Sequence, residues 1–487
     1  MSYVSLGVNI IIGLIYTPWM ISSIGKENYG LYTLAMSVIT LFVFDFGLSS
    51  AVTRFLSKYL AENRQDKANE CLGLVYRLYL YIDILLFLIL LVLFFFIPEI
   101  YRELTPEEVD KFKVIYIVAA LFAVLSFPFI PLNGILTANE KFVQLKTCEV
   151  VHKLLIIGFM TACLLFGYGL YALVIVNALA GIVMILLKLY IIKRNTNSRV
   201  LYGYHNRKQF REIIDFSAWT AVIAICQRLF FTLAPTILGF FSGSAAIAIF
   251  GIANTIEGYV FSFSNALSGM FLPRVSRIVS QRGGDVMPLM IKVGRIQLFV
   301  VGAVVLGFIC VGQDFITLWV GKDFIESYAC TVLLIIPSLV QLPQEIGMQT
   351  IIAENKVKKQ ALVWIFVASL NIILSIVLTW RYSVFGLCLS ICISFLIRTV
   401  GMDIILMKDL NLNMRKFFLD TYLSIGMMIS LVTISLILLG NLIPNGGLSS
   451  FFIKSIIFIL LYLMVFMITA NSEEKNTILS IFIRKKQ

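Results

Sequence analysis

The sequence predicts an all-α polytopic membrane protein: about fourteen transmembrane helices, set as two parallel-related six-helix lobes plus two C-terminal helices. Three observations carry this. The 487 residues are 60% hydrophobic and only 14% charged, with a mean hydropathy of +0.94. Basic residues gather in alternate loops, and the two halves repeat at a nearly constant offset. An average soluble chain is about 45–50% apolar and about 25% charged, and disorder needs the opposite balance. Long apolar runs also exclude an outer-membrane barrel, whose strands alternate polar and apolar residues.

A membrane-spanning helix uses about 20 apolar residues, and runs of that size recur along the chain. The first, 3–24, is too long for a signal-peptide core and has no small-residue cleavage site close behind it, so it reads as a retained span. Five more follow at 31–52, 74–97, 114–136, 148–166 and 170–192. After the basic stretch KRNTNSRVLYGYHNRKQFR, the longest basic loop, come 213–240, 245–272, 291–311, 331–352, 361–380 and 384–407. Two final runs, 417–439 and 451–469, complete fourteen. The expected organisation is therefore a six-helix lobe at 1–192, a cytoplasmic linker at 193–212, a second lobe at 213–407, and two extra helices with a tail at 408–487.

Charge checks the count independently. Loops after even-numbered runs, with the C-terminal tail, hold roughly 25 Lys and Arg; loops after odd-numbered runs hold roughly 6. One missed or invented span would invert every later loop and erase that contrast. Cytoplasmic loops collect Lys and Arg, so both termini are expected in the cytoplasm. The net charge of +12 then orients loops and gives no reason to invoke nucleic acid.

The repeat is visible in four ordered matches. TPWMISSIG around Pro18 parallels APTILGFFSG around Pro235, and Gly25 parallels Gly243. ILTANEKF parallels TIIAENKV, and Gly169-Leu170 parallels Gly386-Leu387; all offsets lie between 215 and 218. An even number of spans per half makes the repeats parallel, as in transporters that bind substrate between two lobes. Subtracting the offset from Arg211 or Asp215 lands before Met1. The first span thus lacks the charged lead-in of its partner, and either the chain starts short or a few residues precede it.

The block from Ile24 to Phe55, IGKENYGLYTLAMSVITLFVFDFGLSSAVTRF, resembles the second-span signature of bacterial Wzx-type polysaccharide flippases. These belong to the superfamily that also holds the multidrug and toxic-compound extruders. The specific parts are Gly-x-x-x-Tyr-Gly-Leu-Tyr and Asp45-Phe46-Gly47-Leu48, and FITLWVGKDF resembles the same family's loop between spans nine and ten. The resemblance implies alternating access and translocation of undecaprenyl-diphosphate-linked oligosaccharide units for O-antigen, capsule or exopolysaccharide. It also implies coupling to a proton or sodium gradient, no cofactor, and work alongside other polysaccharide assembly proteins.

Ionisable groups in a span cost at least about 2.5 kcal/mol, so each asks for a reason. Arg228 lies near the middle of the seventh span, and its paired donors suit a diphosphate. Arg398, Lys153 and Arg77 complete the set of candidate cations for an anionic cleft; an internal charge pair, an interfacial Glu149–His152–Lys153 group and snorkelling are their respective alternatives. Arg295, near the start of the ninth span, reads as a snorkelling residue like Arg77. Asp45, Glu257, Asp83 and Glu345 are candidates for ion coupling or charge pairing, Glu257 as a partner of Arg228. Two histidines are too few and too far apart for a metal centre. The eight cysteines show no CxxC pair and read as small core residues.

No Walker A, nucleophile elbow or zincin motif is present, so the chain reads as a transporter and not an enzyme. A glycan polymerase or ligase would bring a large periplasmic loop, but 98–113 is the longest outward one. A proton- or sodium-coupled multidrug exporter favours an acidic cleft, against the deep arginines here. A lipid II flippase fits fourteen spans equally well. A major-facilitator sugar transporter would carry a charged, glycine-containing loop where this chain has RFLSKYLAENRQDK.

Overall fold

The computed structural model describes residues 2–42, 48–201, 207–268, 285–354, 356–423 and 447–470, with 278 and 426. Among them the secondary structure is helical throughout, and ten helices are long and apolar enough to cross a membrane. The first half runs α1 (Ser2–Ile24), α2 (Lys26–Phe42), α3 (Leu48–Ala61), α4 (Gln65–Phe95), α5 (Ile97–Ile100), α6 (Pro106–Ser126), α7 (Leu132–Ala138), α8 (Phe142–Leu165) and α9 (Leu170–Asn195). The second begins with α10 (Arg207–Phe231), α11 (Ala234–Phe241), α12 (Gly243–Ser268) and α13 (Met287–Trp319). It continues with α14 (Glu326–Ile335), α15 (Ser338–Gln341), α16 (Glu345–Ala353), α17 (Val357–Asp409) and α18 (Leu448–Thr469). The thirteenth expected span, 417–439, lies mostly outside the described residues.

The turns show what the repeat means physically. Gly25 and Gly243, equivalent by sequence, both take positive φ, +85° and +79°, and both reverse the chain between consecutive helices. Glycine enters that region without a Cβ penalty. The equivalent prolines behave differently. Pro18 sits inside continuous α1, whereas α10 ends before Leu233 and α11 restarts with Pro235 in its first turn, where a missing N–H costs nothing. Proline also divides the tenth expected span: Pro337 and Pro343 separate α14, α15, a 3₁₀ turn and α16.

Helix α17 counts 53 residues, about 80 Å at 1.5 Å per residue, far more than the roughly 30 Å of a bilayer core. It covers the eleventh and twelfth expected spans together, and the chain turns at Ser383 (φ 51°, ψ −136°). A Cβ at Gly386 would run into the Leu378 carbonyl; the doubled-back backbone therefore needs glycine there.

The chain forms two compact units, one of Trp19–Gly251 with Trp364–Leu387, the other of Met1–Pro18, Ile252–Val363 and Cys388–Gln487. These boundaries follow packing, while 1–192 and 213–407 follow sequence similarity, and neither division decides the other. In the first unit Leu31, Leu34, Tyr79, Phe112 and Phe127 are fully buried. In the second, Val301, Val305, Ile335 and Leu342 form one cluster, and Leu298, Phe299, Phe458 and Tyr462 another. Ile84, Leu85, Leu88 and Val92 of α4 are exposed; their spacing makes a helical face suited to lipid.

Candidate functional site

Arg228 stands in the last turn of α10, half-buried, just before the break at Leu233. The apolar positions around it, Cys226 and Phe230, are buried, and Phe230 packs edge-on against Trp364 at 5.8 Å. The helix is thus fixed on one side, and Arg228 next to these positions stays half-buried. Glu257 belongs to the other unit, on α12, and is half-buried.

Arg398 and Glu345 come together inside the second unit. Arg398 is only 5% exposed and lies 6.0 Å from the Phe395 ring. The charge of Glu345 acts on it directly, and Gln349 Nε2 donates to Glu345 Oε1 at 2.8 Å. The break at Pro343 is what swings Glu345 to the start of α16. The charge of Glu345 therefore reaches Arg398, as the charge-pair alternative for Arg398 requires.

On α4, Arg77 and Asp83 are both half-buried, and Asp83 Oδ1 makes no hydrogen bond. Lys153 is exposed on α8. In its neighbourhood Lys146 Nζ bonds Glu149 Oε2 at 2.7 Å, and His152 Nε2 makes no hydrogen bond. Asp45 lies outside the described residues.

Three charges went unremarked in the sequence, Lys188 and Lys454 within apolar runs and Asp314 just beyond one. Lys188 on α9 donates to Asn133 Oδ1 at 2.9 Å. Lys454 on α18 donates to Asp314 Oδ2 at 2.9 Å, and Ser450 Oγ donates to the same oxygen at 3.2 Å. Arg295, in contrast, was expected to reach the interface, and its guanidinium donates to the carbonyls of Asp420 and Thr469. The rule that an ionisable residue in a span asks for a reason would have found the two lysines, and Lys454 in turn asks for its partner.

The Gly-x-x-x-Tyr-Gly-Leu-Tyr motif proves to be a packing device. Gly25 makes the turn, Tyr29 and Leu31 are buried, and Tyr32 accepts a hydrogen bond from Asn177 Nδ2 at 3.0 Å. A Cβ on Gly30 would collide with the Ser244 carbonyl, so α2 and α12 meet backbone to backbone. Gly251 returns the contact, facing Thr33 and Tyr29. The Ser244 hydroxyl donates to Glu108, which also closes the capping box with Thr105 at the start of α6. The motif joins helices that are equivalent in the repeat.

Comparison with known proteins agrees with this architecture. Residues 1–279 match the family described as polysaccharide biosynthesis protein. The "Putative O-antigen transporter" of Escherichia coli (strain K12) is 24% identical over 399 residues, 79% of this chain and 90% of that protein. The "Uncharacterized membrane protein EpsK" of Bacillus subtilis (strain 168) is 22% identical over 402 residues, 78% of this chain and 77% of its own. Among solved structures, the lipid II flippase MurJ in an inward closed conformation superposes with a TM-score of 0.65 at 16% identity, covering 91% of this chain and 96% of its own. An inward-facing multidrug resistance MATE transporter of the MOP superfamily gives 0.64 at 14% identity, covering 82% and 93%. The matches with functional names are transporters and a flippase, in line with the lack of an enzyme motif, and the shared fold is that of MOP-type membrane transporters. The chain belongs to the polysaccharide biosynthesis protein family.

Proposed function

We propose that this protein is a flippase that moves undecaprenyl-diphosphate-linked oligosaccharide units across the bacterial cytoplasmic membrane by alternating access, for surface polysaccharide assembly. The observation that carries the reading is the family match over residues 1–279, joined to the E. coli relative named as an O-antigen transporter. Two six-span lobes at 1–192 and 213–407, with both termini cytoplasmic, are the frame of this reading. Arg228 is the residue best suited to draw a diphosphate from the headgroup layer, since it stays charged and offers paired donors. Arg77 is a further cation for the path, and Arg398 with Glu345 is the charge pair that holds the second lobe. A proton or sodium gradient supplies the drive, with Asp83 as a candidate carrier. Half-buried Arg228 favours an anionic substrate over the cationic drugs of multidrug exporters.

The test is complementation in a cell whose surface polysaccharide depends on this chain. Arg228→Ala should abolish export and leave lipid-linked repeat units in the inner leaflet while the protein remains inserted, and Arg228→Lys should restore part of it. Normal surface polysaccharide with Arg228→Ala would remove Arg228 from the mechanism. Export of cationic dyes without any effect on polysaccharide would overturn the flippase reading itself.

A further inference from the structure

Helices α7, α8 and α9 bring together a group of charges that the proposed transport path does not use as a set. Lys146, Glu149 and Lys153 are all exposed along one side of α8. Lys188 reaches from α9 toward Asn133 at the start of α7. His152 lies between them, half-buried, with Nε2 unpartnered and with the charges of both Lys188 and Lys153 acting on it. Glu149 is the carboxylate that acts on Lys188, and it also bonds Lys146. Three ammonium groups against one carboxylate leave the group with a charge of +2.

The surroundings are apolar. Val143, Val150 and Leu154 on α8 are 77%, 45% and 58% exposed, and Val183 and Leu186 on α9 are 49% and 60% exposed. Lys153 lies eleven residues into α8, about 16 Å from its start, and Lys188 seven residues from the end of α9, about 10 Å. The two helices meet this end as an antiparallel pair, so the lysines converge at a similar depth. A cationic group of this kind, below the rim of a span and set among lipid-facing valines and leucines, lacks the water that would solvate it. Its complement is a molecule with both an anionic phosphate and hydrocarbon chains, and basic pockets between spanning helices hold lipid headgroups by this means.

We propose that Lys146, Lys153 and Lys188, with His152, form a binding site for an anionic phosphate-bearing lipid headgroup on the α8–α9 face. Lys188 and Lys153 hold the phosphate from two helices, His152 Nε2 lies buried behind them, and the exposed valines and leucines carry the acyl or prenyl chains. The phosphate comes either from a bulk phospholipid or from a polyprenyl diphosphate, and the site stands whether or not the chain is a flippase.

The full-length protein, delipidated in detergent, is titrated with phosphatidylglycerol, phosphatidylcholine or undecaprenyl diphosphate, and bound lipid is read by native mass spectrometry. The wild type should retain an anionic lipid in preference to phosphatidylcholine. The double variant Lys153→Met with Lys188→Met should bind it about 30-fold more weakly, whereas Lys322→Met, at the far end of α13, should match the wild type. The double variant to Arg keeps the charge and should keep binding. Displacement of phosphatidylglycerol by undecaprenyl diphosphate identifies a polyprenyl lipid as the occupant, and failure to displace it identifies a bulk phospholipid. Equal binding by wild type and the Met variant, or loss in the Arg variant as well as the Met variant, overturns the proposal.

Discussion

At the scale of single residues, Gly30 shows most clearly how the Gly-x-x-x-Tyr-Gly-Leu-Tyr motif serves packing. The obstacle to any side chain there is the Ser244 backbone carbonyl, which cannot swing aside as a side chain could. Gly30→Ala should therefore force α2 and α12 apart, at a cost of about 1–3 kcal/mol or more, and lower the thermal midpoint of the purified protein markedly. Gly158 is the matched control: it lies within α8, where an added methyl group would meet open space. Gly158→Ala should leave stability unchanged or raise it by up to about 1 kcal/mol through helix propensity. Equal midpoints for Gly30→Ala and the wild type would show that α2 and α12 do not meet this closely in the membrane.

At the scale of elements, α18 is the informative case, because it lies beyond the internal repeat and must be held by contacts of its own. It packs along α13: Tyr462 donates to the Phe299 carbonyl at 2.6 Å, Phe466 meets Phe299 edge-on at 5.1 Å, and Lys454 reaches buried Asp314. Removing one member of a buried pair strands the other charge, worth about 3–5 kcal/mol, while replacing both is close to neutral. Lys454→Met should thus destabilise strongly, and Asp314→Asn combined with Lys454→Met should recover most of the loss. A thermal-melt double-mutant cycle reads this; no recovery in the double variant would mean that the pair is not what anchors α18. The pair also marks the limit of what the sequence discloses. Apolar length revealed the helices, and the paired glycines at 25 and 243 revealed the equivalent turns. Which face of a helix a charge occupies depends on helices distant in sequence, 140 positions away for Asp314 with Lys454, so neither that pair nor Glu345 with Arg398 was legible as partners. Nor could hydropathy tell Pro18, carried within a continuous helix, from Pro235, which starts a new one; that difference is set by what surrounds each turn.

At the scale of the whole molecule, the alternation of basic and non-basic loops makes a claim about topology that the turns between helices put within reach of a test. Sharp reversals with positive φ occur at Gly25, Gly167, Gly243, Gly321 and Ser383, each following an odd-numbered expected span, and at Asn63, Glu140 and Asn411, each following an even-numbered one. Positive φ occurs in both groups, so the sides are assigned by the charge of the loops alone. The expected topology then places 63, 140 and 411 on the side of the basic loops and 167, 321 and 383 on the opposite side. Single cysteines introduced at these six positions, in a chain whose own eight cysteines are replaced, can be labelled from one side with a membrane-impermeant maleimide. Labelling from outside intact cells should reach 167, 321 and 383 only, and disrupting the cells should open the other three. Labelling of 140 and 167 from the same side would mean that the fifth expected span, which lies between them, is missing. The two halves would then be antiparallel, and the parallel repeat, with the two-lobed alternating-access scheme built on it, would fall.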